Sequence, residues 1–299
     1  MTRGERHNFR TGLFFALPWF VGLSVFTIYP VVASLFYSFC DFSVLQSPIW
    51  IGSENYSRMW QDAVFWKSLR NTFFYAALSL PLGMAVSLGL ALLLNTGVRG
   101  MAAFRTIFYL PSIVPVVAGA MLWLWIFNGQ YGLLNWALGP VCRLLGVAPP
   151  AWFGDPRWAK PALVLMSLWG VGNSMIIYLA GLQDVPAELY ESAELDGANW
   201  LRRLWHITLP LISPVIYFNL IMGIIGSLQV FTTVFVMTGG ADGSPSRSTL
   251  FYALYLFSTA FYDLRMGYAS AMAWVLFLLI VGLTIAATKL SAKRVHYAG

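Results

Sequence analysis

NTFFYAALSLPLGMAVSLGLALLL, residues 71–94, carries no charged side chain and closes on the unbroken apolar run 89–94. About 20 such residues in a helix cross about 30 Å of hydrocarbon, so this stretch alone is long enough to span a bilayer. The interior helix of a large soluble protein would read the same way once. Five further windows without Lys, Arg, Asp or Glu remove that reading: 11–40, 106–142, 161–183, 204–241 and 266–288, each at least 23 residues long. The chain is 59% apolar and only 10% charged, against about 25% charged in a soluble domain.

Each window is assigned one span, at about 13–38, 71–94, 107–127, 162–182, 211–236 and 267–288. The two longest windows do not hide a second crossing. Asn128-Gly129-Gln130 interrupts the first, and His206, Pro210 and Thr238-Gly239-Gly240 flank the apolar part of the other. A β-barrel would show alternating segments of about ten residues rather than continuous apolar runs. The expected fold class is therefore all-α integral membrane protein with six transmembrane helices. Its parts are a tail 1–12, a six-span domain 13–288 containing a loop 183–210, and a tail 289–299.

Basic residues orient the bundle. With both termini in the cytoplasm, ten of the eighteen Lys and Arg fall on short internal segments: Arg3, Arg6, Arg10, Arg99, Arg105, Arg202, Arg203, Lys289, Lys293 and Arg294. The other eight are spread over longer external segments. The first apolar run is too long for a signal peptide and lacks a small-residue cleavage pattern. Bulky Phe39 argues against lipid attachment at Cys40, and two cysteines specify no disulfide framework. Pro18 and Pro30 are expected to bend the first span. Trp50, Tyr56, Trp60 and Trp66 fit an interfacial aromatic belt, and 129–160 reads as a short helix along the outer surface.

Several function classes lose support. No span holds a carboxylate of the kind proton-coupled carriers use. There is no phosphate-cradling Gly-x-x-x-x-Gly-Lys-Ser/Thr loop. His7, His206 and His296 are the only histidines, and none has a metal-ligand partner at close spacing. No catalytic residue, metal site or nucleic-acid surface is expected, and no cofactor in this chain.

The loop between the fourth and fifth spans is the most structured polar segment. Asp184 is a candidate cap with Pro186 in a first helical turn, and Glu188 faces the positive helix end. Gly197 either breaks the helix through a positive φ or admits another backbone. Beyond it Leu201, Leu204, Trp205 and Thr208 recur at helical spacing up to Leu209-Pro210. The pattern Glu191-Ser192-Ala193, three residues, Gly197, nine residues, Ile207-x-Leu209-Pro210 resembles the cytoplasmic signature of permease subunits of binding-protein-dependent ABC importers. Ser192 stands where Ala is usual. Pro186 to Tyr190 and Asp196-Gly197-Ala198 look like the carbohydrate-uptake branch (maltose, multiple-sugar and glycerol-3-phosphate type), and the likeness extends over roughly residues 10–290.

That resemblance implies a type I importer permease in a bacterial-type plasma (inner) membrane. Its partners would be a second homologous permease, two cytosolic ATPase subunits that bind ATP and Mg, an external solute-binding protein and the lipid bilayer. The loop would be a coupling helix, with Glu191, Ser192, Ala193, Asp196, Gly197, Ile207, Leu209 and Pro210 meeting the ATPase and the acidic neighbours pairing with its basic groups. Polar residues inside spans would line the cargo path: Asn173, Ser174, Asn219, Ser227, Gln229, Thr232 and Thr233. Sugar contacts in the resembled permeases fall near Ser174, Gly226, Gln229 and Phe231. Interhelical hydrogen bonding explains each polar residue equally well. The cargo is expected to be a sugar or related polar solute, neutral rather than charged because no basic residue lies within a span. Glycerol 3-phosphate is the nearest alternative, and a secondary transporter is the class-level rival.

Overall fold

The structure, a computed structural model, describes residues 3–96 and 98–292. Lys293, Arg294, His296 and most of the 289–299 tail lie outside the described residues, as do the side chains of Arg3, Arg6, His7 and Arg10. The fold is almost entirely helical. Among the described residues, three helices are long and apolar enough to cross a bilayer: Thr11–Ser38, Ala63–Leu94 and Met266–Ser291. Three bent pairs raise the number to six if each pair is one span: Met101–Ile113 with Val116–Ile126 (98°), Pro156–Trp169 with Gly172–Gln183 (46°), and Trp200–Leu211 with Ser213–Leu228 (67°).

The bends have local causes. Val114 precedes Pro115, which disfavours the helical region for it, and it sits at φ −65°, ψ 128°. Gly172 follows the second bend, where a Cβ would lie 2.9 Å from the Phe108 carbonyl oxygen and 3.0 Å from Tyr109 Cα. Its bare backbone lets Gly172–Gln183 approach Met101–Ile113 closely. At the third bend Pro210 lies just before Ile212 and Pro214 opens the next helix. The first span runs as one segment, Thr11–Ser38, and a π-helical turn at Ser24–Ile28 just precedes Pro30, with the Tyr29 N–H donating to Ser24 O.

Several boundaries differ from those expected. The second helix begins at Ala63, so Lys67 and Arg70 lie in its N-terminal turns. The fourth begins at Pro156 and takes in Lys160. Charge-free windows miss these turns because a helix emerging from hydrocarbon continues into the polar interface. The expected fifth span is interrupted: Ser213–Leu228 stops, Phe231 sits at φ −129°, ψ −66°, and a short helix resumes at Thr232–Met237. An apolar helix at Tyr252–Phe261 falls in a segment read as an external loop.

Two compact units are formed, Met1–Asp62 with Leu256–Phe277, and Ala63–Tyr255 with Leu278–Gly299. In the first, strands Cys40–Asp41 and Ile49–Trp50 pair antiparallel, Cys40 opposite Trp50. Buried Asn55 donates to Ser38 O at 3.0 Å and Cys40 O at 2.9 Å. The Gly267 N–H donates to Phe42 O at 3.0 Å. Trp50 and Trp60 are largely exposed, whereas the Tyr56 hydroxyl bonds Ser38 Oγ. Cys40 and Cys142 are both free thiols.

In the second unit, Ala63–Leu94 packs against Pro156–Trp169, Gly172–Gln183 and Ser213–Leu228. One core gathers Tyr75, Phe127, Trp152, Leu163, Val234 and Phe251, and a second gathers Ala91, Met175, Tyr178, Leu179 and Ile212. Leu133–Leu144 forms the short helix expected in 129–160, and Asn135 on its inner side receives the Trp152 indole N–H at 2.9 Å.

Candidate functional site

The loop after Gln183 folds into two helical pieces joined at a sharp corner. Ala187–Leu195 starts directly after Pro186, which is the N-cap. Asp184 does not cap it. It ends the preceding helix, because its backbone is still helical and its N–H bonds Ala180 O. Gly197 ends Ala187–Leu195 in the left-handed region at φ +73°. Its N–H bonds Glu194 O and the Ala198 N–H bonds Ala193 O, the paired closure that a glycine after a helix permits. Of the two roles foreseen for Gly197, the structure realises the turn; no atom of this chain lies within 4 Å of a Cβ there.

Asn199 caps the next helix by accepting the Arg202 N–H at 2.9 Å. Trp200–Arg203 runs through a π turn at Leu204–Thr208 into Leu209–Leu211, so the chain stays helical past Pro210. The Tyr190 hydroxyl meets Thr208 Oγ1 at 3.0 Å, and Arg203 forms an ion pair with Glu194. Glu194 is therefore engaged within the chain while its side chain stays exposed. Glu191, Ser192, Asp196 and Gly197 are exposed, while Ala193, Ile207, Leu209 and Pro210 are half-buried. Leu195 is 91% exposed beside the corner, and Trp200 and Trp205 are also exposed.

Two adjoining cavities of about 260 and 440 Å³ lie among the bent spans and share Tyr75, Ser167, Gly170 and Val230. Asn173 and Thr233 line the smaller; Ser174, Asn219, Gly226 and Ser227 line the larger. Gln229, Phe231 and Thr232 line neither. Gln229 is exposed at the helix break, and the Phe231 ring lies against Phe235. Sequence reasoning missed Tyr75, Ser79 and Ser112 because it sought polar residues in the fourth and fifth spans, and within the fourth it passed over Ser167. Tyr75, Ser79 and Ser167 face the larger cavity together, and the Ser167 hydroxyl donates to Val164 O at 2.6 Å. Asn219 donates to Val215 O in its own helix, leaving its amide oxygen for another partner. No Lys, Arg, His, Asp or Glu is among the residues that line either cavity.

No group of three or more His, Cys, Asp or Glu capable of holding a metal occurs among the described residues. A multi-pass helical bundle with bent spans around neutral polar cavities defines a membrane permease. Residues 79–297 match the family described as binding-protein-dependent transport system inner membrane component. The chain belongs to that family and is a permease subunit of an ABC importer. It is 40% identical over 299 residues to the probable ABC transporter permease protein YesP of Bacillus subtilis (strain 168), covering 99% of this chain and 95% of that one. It is 36% identical over 265 residues to the sulfoquinovosyl glycerol transport system permease protein SmoG of Agrobacterium fabrum, covering 88% and 84%. A bacterial ABC transporter involved in the import of the acidic polysaccharide alginate has a chain of the same fold: TM-score 0.83, 24% identity, 98% of this chain and 99% of that chain covered.

Proposed function

We propose that this chain is one transmembrane half of an ATP-driven importer that moves a sugar or related polar solute inward from an external binding protein. Each bent pair is one crossing, giving six spans over 13–288 with both ends in the cytoplasm of a bacterial-type plasma membrane. A homologous permease supplies the other half. Two cytosolic ATPase subunits bind ATP and Mg and drive the cycle, so this chain catalyses nothing itself.

The observation that carries this reading is the cornered loop. Glu191, Ser192, Asp196 and Gly197 are presented to solvent with exposed Leu195, on a helix held to the next by Tyr190–Thr208 and Glu194–Arg203. A tethered helix with an exposed apolar end is suited to a groove in a partner, and a rigid tether transmits displacement to the spans. In this reading Ala193, Ile207, Leu209 and Pro210 back the contact from inside. Asn173, Ser174, Asn219, Gly226, Ser227 and Thr233 line the cargo path with Tyr75 and Ser167, and Gln229 and Phe231 border it at the helix break. Hydroxyl and amide groups without a fixed charge match the hydroxyls of a sugar, and the relative SmoG carries a sugar derivative in its name.

Reconstitution of both permeases with the ATPase subunits in liposomes tests this. Uptake should require ATP and the binding protein together. Sustained uptake without either would establish a secondary transporter instead. Ser174→Val and Tyr75→Phe should each lower uptake while leaving assembly intact, and unchanged transport in both would remove these cavities from the path.

A further inference from the structure

Lys67 lies in the second turn of Ala63–Leu94 and Arg70 at the start of the third, and Lys160 lies in the second turn of Pro156–Trp169. Lys160 is half-buried. Its Nζ donates to Asn71 Oδ1 at 3.1 Å and sits 4.7 Å from the centroid of the Phe74 ring. Asn71 Nδ2 donates to Arg247 O and Leu250 O at 3.0 and 3.1 Å, and Lys67 Nζ donates to Ser246 O at 2.8 Å. Lys67, Arg70 and Asn71 stand at i, i+3 and i+4 on one face of their helix, and it is Asn71 on that face that Lys160 meets. The ion pairs among the described residues, Glu54–Arg58, Asp155–Arg157 and Glu194–Arg203, include none of these cations. In the same loop the Ser248 hydroxyl is buried without a partner.

Holding the 246–250 loop explains Lys67 and one donor of Lys160. It does not explain Arg70, which is exposed and makes no hydrogen bond or ion pair, nor why cations converge where neutral amides would tether equally well. Crowding like charges beside a low-dielectric bundle is unfavourable unless an anion completes the set. The position is informative as well. Tyr75 lies four residues beyond Asn71, and Leu163 three beyond Lys160. At about 1.5 Å per residue, Lys160 lies about 4.5 Å, Arg70 about 7.5 Å and Lys67 about 12 Å along their helices from residues that line the smaller cavity.

We infer that Lys67, Arg70 and Lys160 form a cationic vestibule at the mouth of the cavity, and that the transported solute carries a fixed carboxylate, sulfonate or phosphate beside its hydroxyls. This rests on the permease reading above and departs from the expectation of a neutral cargo. That expectation depended on placing Lys160 outside the fourth span. The neutral cavity takes the hydroxyl-bearing part of the solute, and the vestibule takes its charge. Lys supplies a point charge over Phe74, and Arg70 supplies a planar fork suited to two anionic oxygens.

The test uses the assembled importer in detergent with galacturonate and galactose as probes, which differ at one carbon by a carboxylate in place of a hydroxymethyl group. Galacturonate should protect against thermal unfolding at about a tenfold lower concentration than galactose, the scale of one charge-assisted hydrogen bond. Lys160→Met and Arg70→Gln should each remove that preference, and Lys160→Arg should keep it. If Lys160→Met fails to fold, exposed Arg70→Gln carries the test alone. Equal protection by the two sugars, or a preference unchanged in Arg70→Gln, overturns the inference. So does a variant that loses only salt-sensitive docking of the binding protein, which would make the cluster a protein contact. Failure here is separable from failure of the transport assignment. Uptake that needs ATP and the binding protein, in an importer blind to the carboxylate, sinks the vestibule and leaves the permease reading intact.

Discussion

The Tyr190 hydroxyl lies 3.0 Å from Thr208 Oγ1, so a residue before the Gly197 corner is tied to one in the π turn after it. Thr208 is buried and Tyr190 half-buried, so the contact is shielded from water. Tyr190→Phe keeps the ring and removes the bond, at a cost of about 0.5–1.5 kcal/mol. The importer should still assemble while solute moved per ATP falls, since the helix is then less firmly joined to the fifth span. Simultaneous assays of ATP hydrolysis and uptake in liposomes check this; an unchanged ratio would show that the tether does not transmit motion.

At Gly197 conformation and contact can be separated. A β-carbon there meets nothing within 4 Å, but the backbone is left-handed at φ +73°. Any L residue with a β-carbon costs about 1–2 kcal/mol in that region, Asn less. Gly197→Ala and Gly197→Trp should therefore lower the thermal stability of the isolated permease alike, with Gly197→Asn milder. A further loss of ATPase assembly confined to the Trp variant would report a partner lying against the corner. Identical assembly of all three would place the ATPase contact elsewhere.

Gly267 is constrained by space instead. A Cβ at that position would overlap the Cys40 carbonyl oxygen, and its own N–H bonds Phe42 O at 3.0 Å. Gly267→Ala must push the Cys40–Asp41 strand away from the Met266–Ser291 helix. Backbone cannot yield as a flexible side chain can, so the expected loss is about 1–3 kcal/mol, the range for overpacking. Faster thiol labelling of Cys40, which is buried in the native chain, is the expected signature. Labelling at the native rate would mean that the ribbon shifts without opening.

Asp155 caps Pro156–Trp169 by accepting the Arg157 N–H at 2.9 Å. Its side-chain hydrogen bond with Arg157, then the backbone bond, hold its carboxyl below the usual carboxylate range. Because the folded value is depressed, the stabilisation is complete above the ordinary value near pH 4 and disappears as pH falls through the lower folded one. Asp155→Asn retains an acceptor for the N–H and should flatten this acid dependence, whereas Asp155→Ala should lower stability at neutral pH as well. Thermal melts of the solubilised permease between pH 3 and about 7 distinguish them. Matching acid profiles for the native and Asn forms would assign the acid sensitivity to other groups.

Much of the fold was legible because hydrocarbon imposes a one-dimensional constraint. Six charge-free windows mark where helices can cross, and Val114-Pro115 and Pro210 to Pro214 carry local reasons for two of the three bends. The break at Gln229–Phe231 was not legible. No Gly or Pro marks it; β-branched Val230, Thr232 and Thr233 only weaken the helix locally. The corner at Gly197 was readable to two alternatives, and the φ angle chose between them. Placement of Asp184 failed because the same residue type serves the end of one helix and the start of another, and the distinction depends on where Pro186 puts the next N-cap.

The sequence by itself determined the solvent of this protein, the set of segments able to cross a bilayer, and the loop whose motif resembles that of importer permeases, because composition and short-range spacing decide those. Only the tertiary structure decided that Glu194 is consumed by Arg203, that Tyr75 and Ser167 join the cavities where Gln229 does not, and that Lys67, Arg70 and Lys160 converge without a carboxylate. Each depends on which residues distant in the chain share a few ångströms, and neither hydropathy nor a motif carries that information.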